Sequence, residues 1–248
     1  MSTFNLRYYS QIYWHFTGSP ENVPWSQVES PKDILEYDLK SPKRALEIAS
    51  QILEQGKLMA TATTEHKINE TLYQSSPFCC VTDIPLKDLQ IHSHYYGQVA
   101  IGFHSTSIHD TWFPVLYIPM KRLAAFDLWV GYPLQMAHDL LPHKERHNFH
   151  EGNMSVDVYD PHPFIHTADA HAVPEILSWV KFTEFSPKPG GSFYQEREWR
   201  HLGDFKFATS DVAALVVPPD LIREAKIMLE NNDLSAVSVI SWDIIERG

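Results

Sequence analysis

The sequence of residues 78–103 predicts two buried strands joined by a turn and a short helix. Residues 78–81 form a continuous apolar run of the length typical of a buried strand, and Asp83 and Pro85 follow as turn residues. Pro85 in the first turn and Gly97 beyond the end predict a short helix, with Asp83 as its cap. Residues 99–103 carry no charge, as expected of a central strand. The fold is therefore expected to contain a sheet with both strands inside it.

The remaining periodicity predicts an α+β fold in which helices flank a mixed central sheet. Residues 12–17 alternate, which predicts a half-buried strand with Tyr13, His15 and Thr17 on its polar face. Residues 41–56 have the proline, apolar stripe and terminal glycine of an amphipathic helix. Strands outnumber helices without strict alternation, which favours a mixed sheet. Further strands are predicted at residues 112–118, 193–202, 212–217 and 237–242, and further helices at 120–130, 134–141 and 221–229.

Length and composition limit the class of protein. At 248 residues the chain is expected to form one domain over residues 1–248. Its 20 lysines and arginines against 31 aspartates and glutamates give a formal charge of -11, which argues against a nucleic-acid or anionic membrane surface. No secretory leader or membrane span is recognisable, so we expect a cytoplasmic protein. Cys79 and Cys80 are adjacent in a strand and cannot bridge easily, and apolar surroundings should leave Cys80 unreactive.

Residues 142–172 are expected to form an insertion or lid, because hydrophobic periodicity breaks down there. Seven of the 14 histidines fall between His138 and His171. His143 and His147 would share one face of a helix, and such a pair can hold zinc. Neither cysteine pairs nor a His-Glu-x-x-His pattern accompany them. We therefore expect structural or surface histidines and no metal site.

The segment around residue 198 carries the side chains best suited to catalysis. If residues 193–202 form a strand, Glu196, Glu198 and Arg200 share one face with Tyr194. Two close carboxylates raise each other's pKa unless a cation offsets the repulsion, and such pairs are over-represented at functional sites. Arg200 is the cation expected to do so. A solvated edge strand with cross-strand ion pairs has the same pattern, and the pattern alone does not separate the two.

Six short motifs are spread in order over most of the chain. They are Tyr-Trp-His-Phe-Thr at 13–17, Cys-Val-Thr-Asp-Ile-Pro-Leu at 80–86, Tyr-Gly at 96–97, Ile-Gly-Phe at 101–103, Pro-Val-Leu-Tyr-Ile at 114–118 and Tyr-Gln-Glu-Arg-Glu-Trp-Arg at 194–200. In this order they resemble the AbiGi family of abortive-infection phage-resistance proteins. The resemblance implies one partner of a two-component defence system, often in the antitoxin position. A cognate toxin or antitoxin is therefore an expected partner.

The beginning of the chain also resembles the ADP-ribosyltransferase-like folds. These begin with a strand, a helix that packs back, a closing glycine and a segment similar to Lys-Leu-Met-Ala-Thr at 57–61. In the DarT toxin family a His, an aromatic or aliphatic residue and a Thr stand on the first strand, and residues 15–17 look similar. The resemblance implies that His15 contacts a ribose of NAD. The second Glu of Glu-x-Glu, here Glu198, would stabilise the cation formed as nicotinamide leaves.

Other roles follow from the same resemblance. Glu196 would orient the acceptor or take its proton. The arrangement requires His15 and the acid pair to border a common hollow. A lone histidine such as His15 is more often held by a neighbouring backbone group. The residues expected to bind NAD are Thr17, Thr82, Tyr96 and Arg200, although Thr82 also suits a plain strand-end hydrogen bond.

Two functions follow from these observations, and a third has less support. The preferred hypothesis is a phage-defence protein with an ADP-ribosyltransferase-like fold that uses NAD to modify a macromolecule. The alternative is a non-catalytic member of the same family that binds and restrains a toxin. A metal-dependent hydrolase built on residues 142–172 is the third. The sequence lacks a Gly-x-Gly-x-x-Gly turn, a Walker-type loop and a Gly-x-Ser-x-Gly elbow, so Rossmann, P-loop and α/β-hydrolase classes have no support.

Overall fold

The computed structural model of the chain describes residues 10–25, 28–68, 71–119, 177–188 and 190–247. The helices predicted at 120–130 and 134–141 and the insertion predicted at 142–172 lie outside these residues. The strands are β1 (Ile12–Phe16), β2 (Lys57–Leu58), β3 (Glu65–Ile68), β4 (Thr71–Gln74), β5 (Phe78–Thr82), β6 (Ala100–His104), β7 (Phe113–Pro114), β8 (Leu116–Pro119), β9 (Val180–Thr183), β10 (Glu198–Leu202), β11 (Phe205–Lys206), β12 (Val212–Val217) and β13 (Ser238–Ser241). The helices are α1 (Pro31–Ile34), α2 (Pro42–Gln55), α3 (Leu89–Tyr96), α4 (Ser105–Ile108), α5 (Ile222–Asn231) and α6 (Trp242–Arg247).

Seven strands form a mixed sheet in the order β13-β12-β6-β1-β5-β10-β7. β13 is parallel to β12, and the other neighbours are antiparallel. The predicted α+β class with a mixed sheet and flanking helices is therefore confirmed. A separate parallel pair, β8 and β9, lies next to β10, where the amide of Val115 donates to the carbonyl of Glu198 at 2.9 Å.

β1 is the middle strand of the sheet and is buried on both faces. Trp14 is paired with Gly102 of β6 on one side and with Thr82 of β5 on the other. Tyr13 and Trp14 point to opposite faces and are 0% and 2% exposed. The prediction of a half-buried strand is therefore wrong. Alternation separates the two sets of side chains, but helices cover both sets.

Helices pack on both faces of the sheet and create two apolar cores. The core that contains Tyr13 includes residues of α2 and α5, and the core that contains Trp14 includes residues of α3 and α6. The core residues from these helices are Ala45, Leu46, Ala49, Leu53, Ala225 and Leu229 on the first face, and Leu89, Trp242 and Ile245 on the second.

None of the described helices is long and apolar enough to cross a membrane.

The helix predicted at 41–56 is confirmed as α2. The hydroxyl of Ser41 accepts a hydrogen bond from the amide of Arg44 at 3.2 Å and so caps the first turn. Gly56 ends the helix in the left-handed conformation, with φ of 60°. The apolar stripe of α2 faces the sheet, as the helical spacing of its apolar residues predicts.

The helix predicted after β5 is also confirmed. A single 3-10 turn over Leu86–Asp88 leads into α3, which ends before Gly97. Gly97 has φ of +86° and lies against the backbone of Gly18, just beyond β1. This contact fixes the end of α3 against the middle strand of the sheet.

We expect Gly97→Ala to destabilise the fold far more than Gly203→Ala. Both glycines have positive φ, but a Cβ at Gly97 would lie 2.6 Å from Gly18 Cα, whereas nothing lies within 4 Å of one at Gly203. Gly203→Ala therefore measures the left-handed strain alone, about 1–2 kcal/mol. Gly97→Ala should lose at least ~2 kcal/mol more in unfolding free energy, because two backbones must separate. Urea denaturation compares the two variants, and equal losses would contradict the close approach.

Candidate functional site

The two glutamates around residue 198 are brought together by a tight turn. Phe193–Glu196 forms a 3-10 turn, and β10 begins only at Glu198. Arg197 between them has φ of 47°, a left-handed conformation that interrupts an extended strand. The strand predicted over 193–202 is therefore wrong in its first half. The two carboxylates nevertheless meet, because both reach the same lysine.

Two acids and two bases form a buried ion network between β9 and β10. Glu198 accepts from Arg200 twice, Nε to Oε1 at 2.7 Å and Nη2 to Oε2 at 3.2 Å. Lys181 donates to Glu196 Oε2 at 2.5 Å and to Glu198 Oε2 at 3.0 Å. Arg200 Nη1 also donates to the carbonyl of Ser178 at 2.6 Å. The name ion network is used below for Glu196, Glu198, Lys181 and Arg200.

Burial distinguishes the ion network from a surface cluster. Glu196, Glu198 and Arg200 are 5%, 8% and 1% exposed. The alternative of a solvated edge strand is therefore wrong for these side chains, although the ion pairs that it predicts are present. The β8–β9 pair beside β10 supplies Lys181, and buried charges persist only where such partners exist.

Burial and pairing shift the pKa values of the two acids in opposite directions. Burial alone would raise the pKa of Glu198, but Arg200 and Lys181 outweigh it and hold that pKa at about 2. For Glu196 burial prevails over Lys181, and its pKa is raised. Burial disfavours the charge on Lys181, yet the two carboxylates raise its pKa. Glu198 therefore stays ionised at neutral pH, and Glu196 is the first of the two to take up a proton.

A cavity of about 270 Å³ lies beside the ion network, between α1, α3 and the turn before β10. Its lining includes Glu196, which reaches it from the ion network, whereas Glu198 lies outside the lining. The hydroxyl of Tyr96 donates to Glu196 Oε1 and so joins α3 to the ion network. Other residues of the lining are Asp88, Ile91, His92 and Tyr95.

Five of the predicted site residues converge in this region. Thr82 ends β5 and donates from its hydroxyl to the carbonyl of Glu196. Tyr96 holds the carboxylate of the same residue. With Glu198 and Arg200, these residues occupy one face at the edge of the sheet. The structure places them together, and their roles in binding NAD stay predictions.

His15 lies on the other face of the sheet. Strand pairing puts Trp14, Thr82 and Glu198 in one row, so their side chains share a face. His15, the next residue along β1, therefore points away from the acids. The expected common hollow between His15 and the acid pair is wrong, because one step along a strand changes the face.

The hydrogen-bond partners of His15 and Thr17 are backbone carbonyls of β5 and α2. His15 Nδ1 is 2.9 Å from the carbonyl of Cys80, and burial lowers the pKa of the imidazole although this hydrogen bond opposes the shift. The hydroxyl of Thr17 donates to the carbonyl of Ala45 in α2 at 2.8 Å. Both side chains are thus satisfied in the way that ordinary buried polar groups are.

Sequence reasoning predicted Arg200 but missed Lys181, the second cation of the ion network. Lys181 stands in the otherwise uncharged segment 177–182, and a lysine in such a run is a signal of a buried charge with a partner. Asp83 was expected to cap a helix but instead pairs with Arg197, with Nε to Oδ1 at 2.6 Å. Burial raises the pKa of Asp83, against the pull of Arg197.

In the described part of the chain, the other nucleophiles and candidate metal ligands form no site. Burial raises the pKa of Cys79 to about 12 and raises that of Cys80 as well, which agrees with the prediction of an unreactive thiol. Among the residues that the structure describes, no cluster of three His, Cys, Asp or Glu side chains is placed to hold a metal ion. His143 and His147 lie outside those residues.

Comparison with known proteins supplies the family. A family model with the description "Putative abortive phage resistance protein AbiGi, antitoxin" matches residues 50–240, most of the chain. The chain belongs to the AbiGi family. The range that this AbiGi protein shares with the family model includes the whole ion network and α3. No curated protein and no solved structure matches.

We expect the ion network to make stability depend on pH in acid. The folded-state pKa of Glu198 lies at about 2 against an ordinary 4.5. The stabilisation is therefore complete above pH 4.5 and is lost as pH falls towards 2, because the unfolded chain binds the proton first. The shift corresponds to about 3 kcal/mol of unfolding free energy.

Denaturation from pH 6 to pH 2 compares the wild type with Glu198→Gln. The variant should be less stable by about 3–5 kcal/mol at pH 6, since it leaves Arg200 buried without its anion. It should also lose the acid-dependent step. Glu54→Gln, at an exposed position of α2, is the control and should behave as the wild type. The raised pKa of Glu196 makes its own contribution to stability change with pH in the opposite direction. The measurement is therefore the difference in unfolding free energy between the wild type and Glu198→Gln at each pH. A difference that stays constant from pH 6 to pH 2 would contradict the low pKa of Glu198.

Proposed function

We propose that this AbiGi protein acts in abortive phage resistance as an antitoxin that binds and restrains a toxin partner. The family description supports this role. The geometry of the ion network supports it further, because both carboxylates are already occupied. This occupation is the observation that carries the proposal.

A carboxylate that stabilises a developing cation must face the place where the charge forms. Glu198 instead accepts hydrogen bonds from Arg200 and Lys181 and lies outside the cavity lining. Both oxygens of Glu196 are held as well, by Tyr96 and Lys181. The ion network thus joins β9, β10 and α3 and serves as a rigid base for a binding surface.

The surface next to this base suits a protein partner. Leu86 and Ile91 are 38% and 52% exposed, and of the two only Ile91 lines the cavity. Interfaces combine an apolar centre with a polar rim, and anchor residues fill pockets near that centre. The two exposed apolar side chains can form such a centre, and the cavity beside Ile91 can receive an anchor residue.

Stoichiometry tests the antitoxin role. Restraint by binding requires about one antitoxin per toxin, so titration of purified toxin of the same defence system should abolish its activity near equimolar amounts. The two proteins should also migrate together in size-exclusion chromatography. An unrelated protein of equal net charge controls for electrostatics alone. Neutralisation by far less than one equivalent, or none at a large excess, would contradict the proposal.

A second candidate is an NAD-dependent ADP-ribosyltransferase that acts on a macromolecule. It is favoured by the position of Glu196, a buried carboxylate with a raised pKa that lines a cavity with aromatic walls. In this alternative Glu198 stabilises the ribose cation that forms as nicotinamide leaves, and Glu196 orients the acceptor, while Thr82, Tyr96 and Arg200 hold NAD. His15 and Thr17 take no part, since they lie behind the sheet.

Consumption of NAD separates the two candidates. The transferase requires the wild type to release nicotinamide or label a target protein, and Glu196→Gln and Glu198→Gln to lose at least ~100-fold of that rate. Circular dichroism shows whether each variant is folded, and Glu54→Gln is again the control. The antitoxin proposal predicts no nicotinamide release by any of these proteins. Release by the wild type that the glutamine variants abolish would replace it with the transferase.

A further inference from the structure

Three side chains with aromatic rings line the cavity beside Glu196. The rings of His92, Tyr95 and Tyr96 line it, and the centroids of the His92 and Tyr96 rings lie 4.4 Å apart with an interplanar angle of 31°. Ile91 adds an apolar side at the rim. The faces of aromatic rings attract cations, and arginine is the commonest cation found on them. The walls therefore suit a flat cationic group.

Asp88 contributes an exposed carboxylate to the lining of the cavity, which also includes Arg197. Glu196 pairs with Lys181, and Arg197 pairs with Asp83. Within the part of the chain that the structure describes, no cation lies at ion-pair distance from Asp88. The cavity thus has one exposed carboxylate available to a partner.

His92 does not repel a cation at neutral pH. Burial and the charge of Lys181 lower the pKa of its imidazole to about 3. The ring is therefore neutral and acts as an aromatic surface. Lys181 itself is held by two carboxylates, and Arg197 by a third, so the local cations are compensated.

The size of the cavity favours one side chain over a large ligand. Its volume of about 270 Å³ lies below the ~300–1,000 Å³ of ordinary ligand and cofactor pockets. One anchor side chain of a partner protein is small enough to fit a cavity of this volume. Anchors of this kind carry much of the binding energy of an interface, and arginine is among the most frequent.

We propose that this cavity receives an arginine side chain of the toxin partner. The guanidinium stacks on one of the two tyrosine rings, since the planes of Tyr95 and Tyr96 lie at 64° to each other, and pairs with the carboxylate of Asp88. Arginine fits better than lysine, because its planar group stacks on rings and donates two parallel hydrogen bonds to a carboxylate. The formal charge of -11 on the whole chain further favours a basic partner surface. The inference rests on the proposed function and names the chemistry of its interface.

A blocked amino acid tests the cavity without the partner. Titration of N-acetyl-arginine-N-methylamide should shift the NMR amide signals of α3 and of Glu196, with saturation in the millimolar range. The citrulline analogue has the same shape without the charge and should bind at least ~10-fold more weakly. Equal binding of citrulline, or shifts by nicotinamide with none by the arginine compound, would overturn the proposal.

Variants of Asp88 test the complex of whole proteins. Asp88→Asn should weaken toxin binding by about tenfold and Asp88→Lys by more, with the loss increasing at low salt. Asp220→Asn, an exposed position before α5 on the other side of the sheet, is the matched control and should leave binding unchanged. If wild type neutralises the toxin and Asp88→Lys does so equally well, this inference is wrong and the antitoxin role stands. If wild type itself fails, the antitoxin role is wrong.

Discussion

The guanidinium of Arg200 is buried in the protein, and a buried cation requires an anion and hydrogen-bond acceptors next to it. Arg200 is 1% exposed, lies 4.1 Å over the ring of Phe78 and donates to both oxygens of Glu198 and to the carbonyl of Ser178. A buried charge without these partners would cost several kcal/mol. The position of β10, of Glu198 and of the segment before β9 therefore depends on satisfying one cation.

The same requirement joins the two sheets. The β8–β9 pair is separate from the seven-stranded sheet, yet Lys181 of β9 reaches both glutamates, and the hydroxyl of Tyr117 of β8 accepts from the amide of Glu198 at 2.8 Å. Tyr96 of α3 closes the arrangement on the remaining oxygen of Glu196. A network of this kind is stable only when every member is satisfied, which also makes it rigid. The wall of the cavity inherits that rigidity.

The rigidity of the ion network and the pairing of both carboxylates favour a binding surface over a catalytic site. An acid pair in a cleft is a sign of catalysis when an acid is exposed to a substrate. Glu198, the acid that stays ionised, pairs with Arg200 and Lys181 of its own chain. Glu196, the acid that borders the cavity, also pairs with Lys181. Such a site holds a shape and presents a surface. The proposed antitoxin role requires both of these, because a partner is recognised by a surface of fixed shape.

Local patterns were sufficient for the elements whose environment is set by neighbouring residues. The cap, stripe and closing glycine of α2, the turn and helix after β5 and the α+β class all follow from short-range spacing, and the ordered motifs predict the family. The pairing of Glu196 with Glu198 was also predicted, although for the wrong reason, since Arg197 breaks the strand that was expected to align them.

Tertiary structure decided which residues share a site. Strand alternation shows that His15 and Trp14 point to opposite faces, but only the row from Trp14 through Thr82 to Glu198 shows which face holds the acids. Lys181 enters the site because β9 lies next to β10, a contact between separate sheets that no local pattern encodes. Hydrophobic periodicity is a property of neighbours along the chain, whereas a buried charge is satisfied by whatever the fold brings beside it.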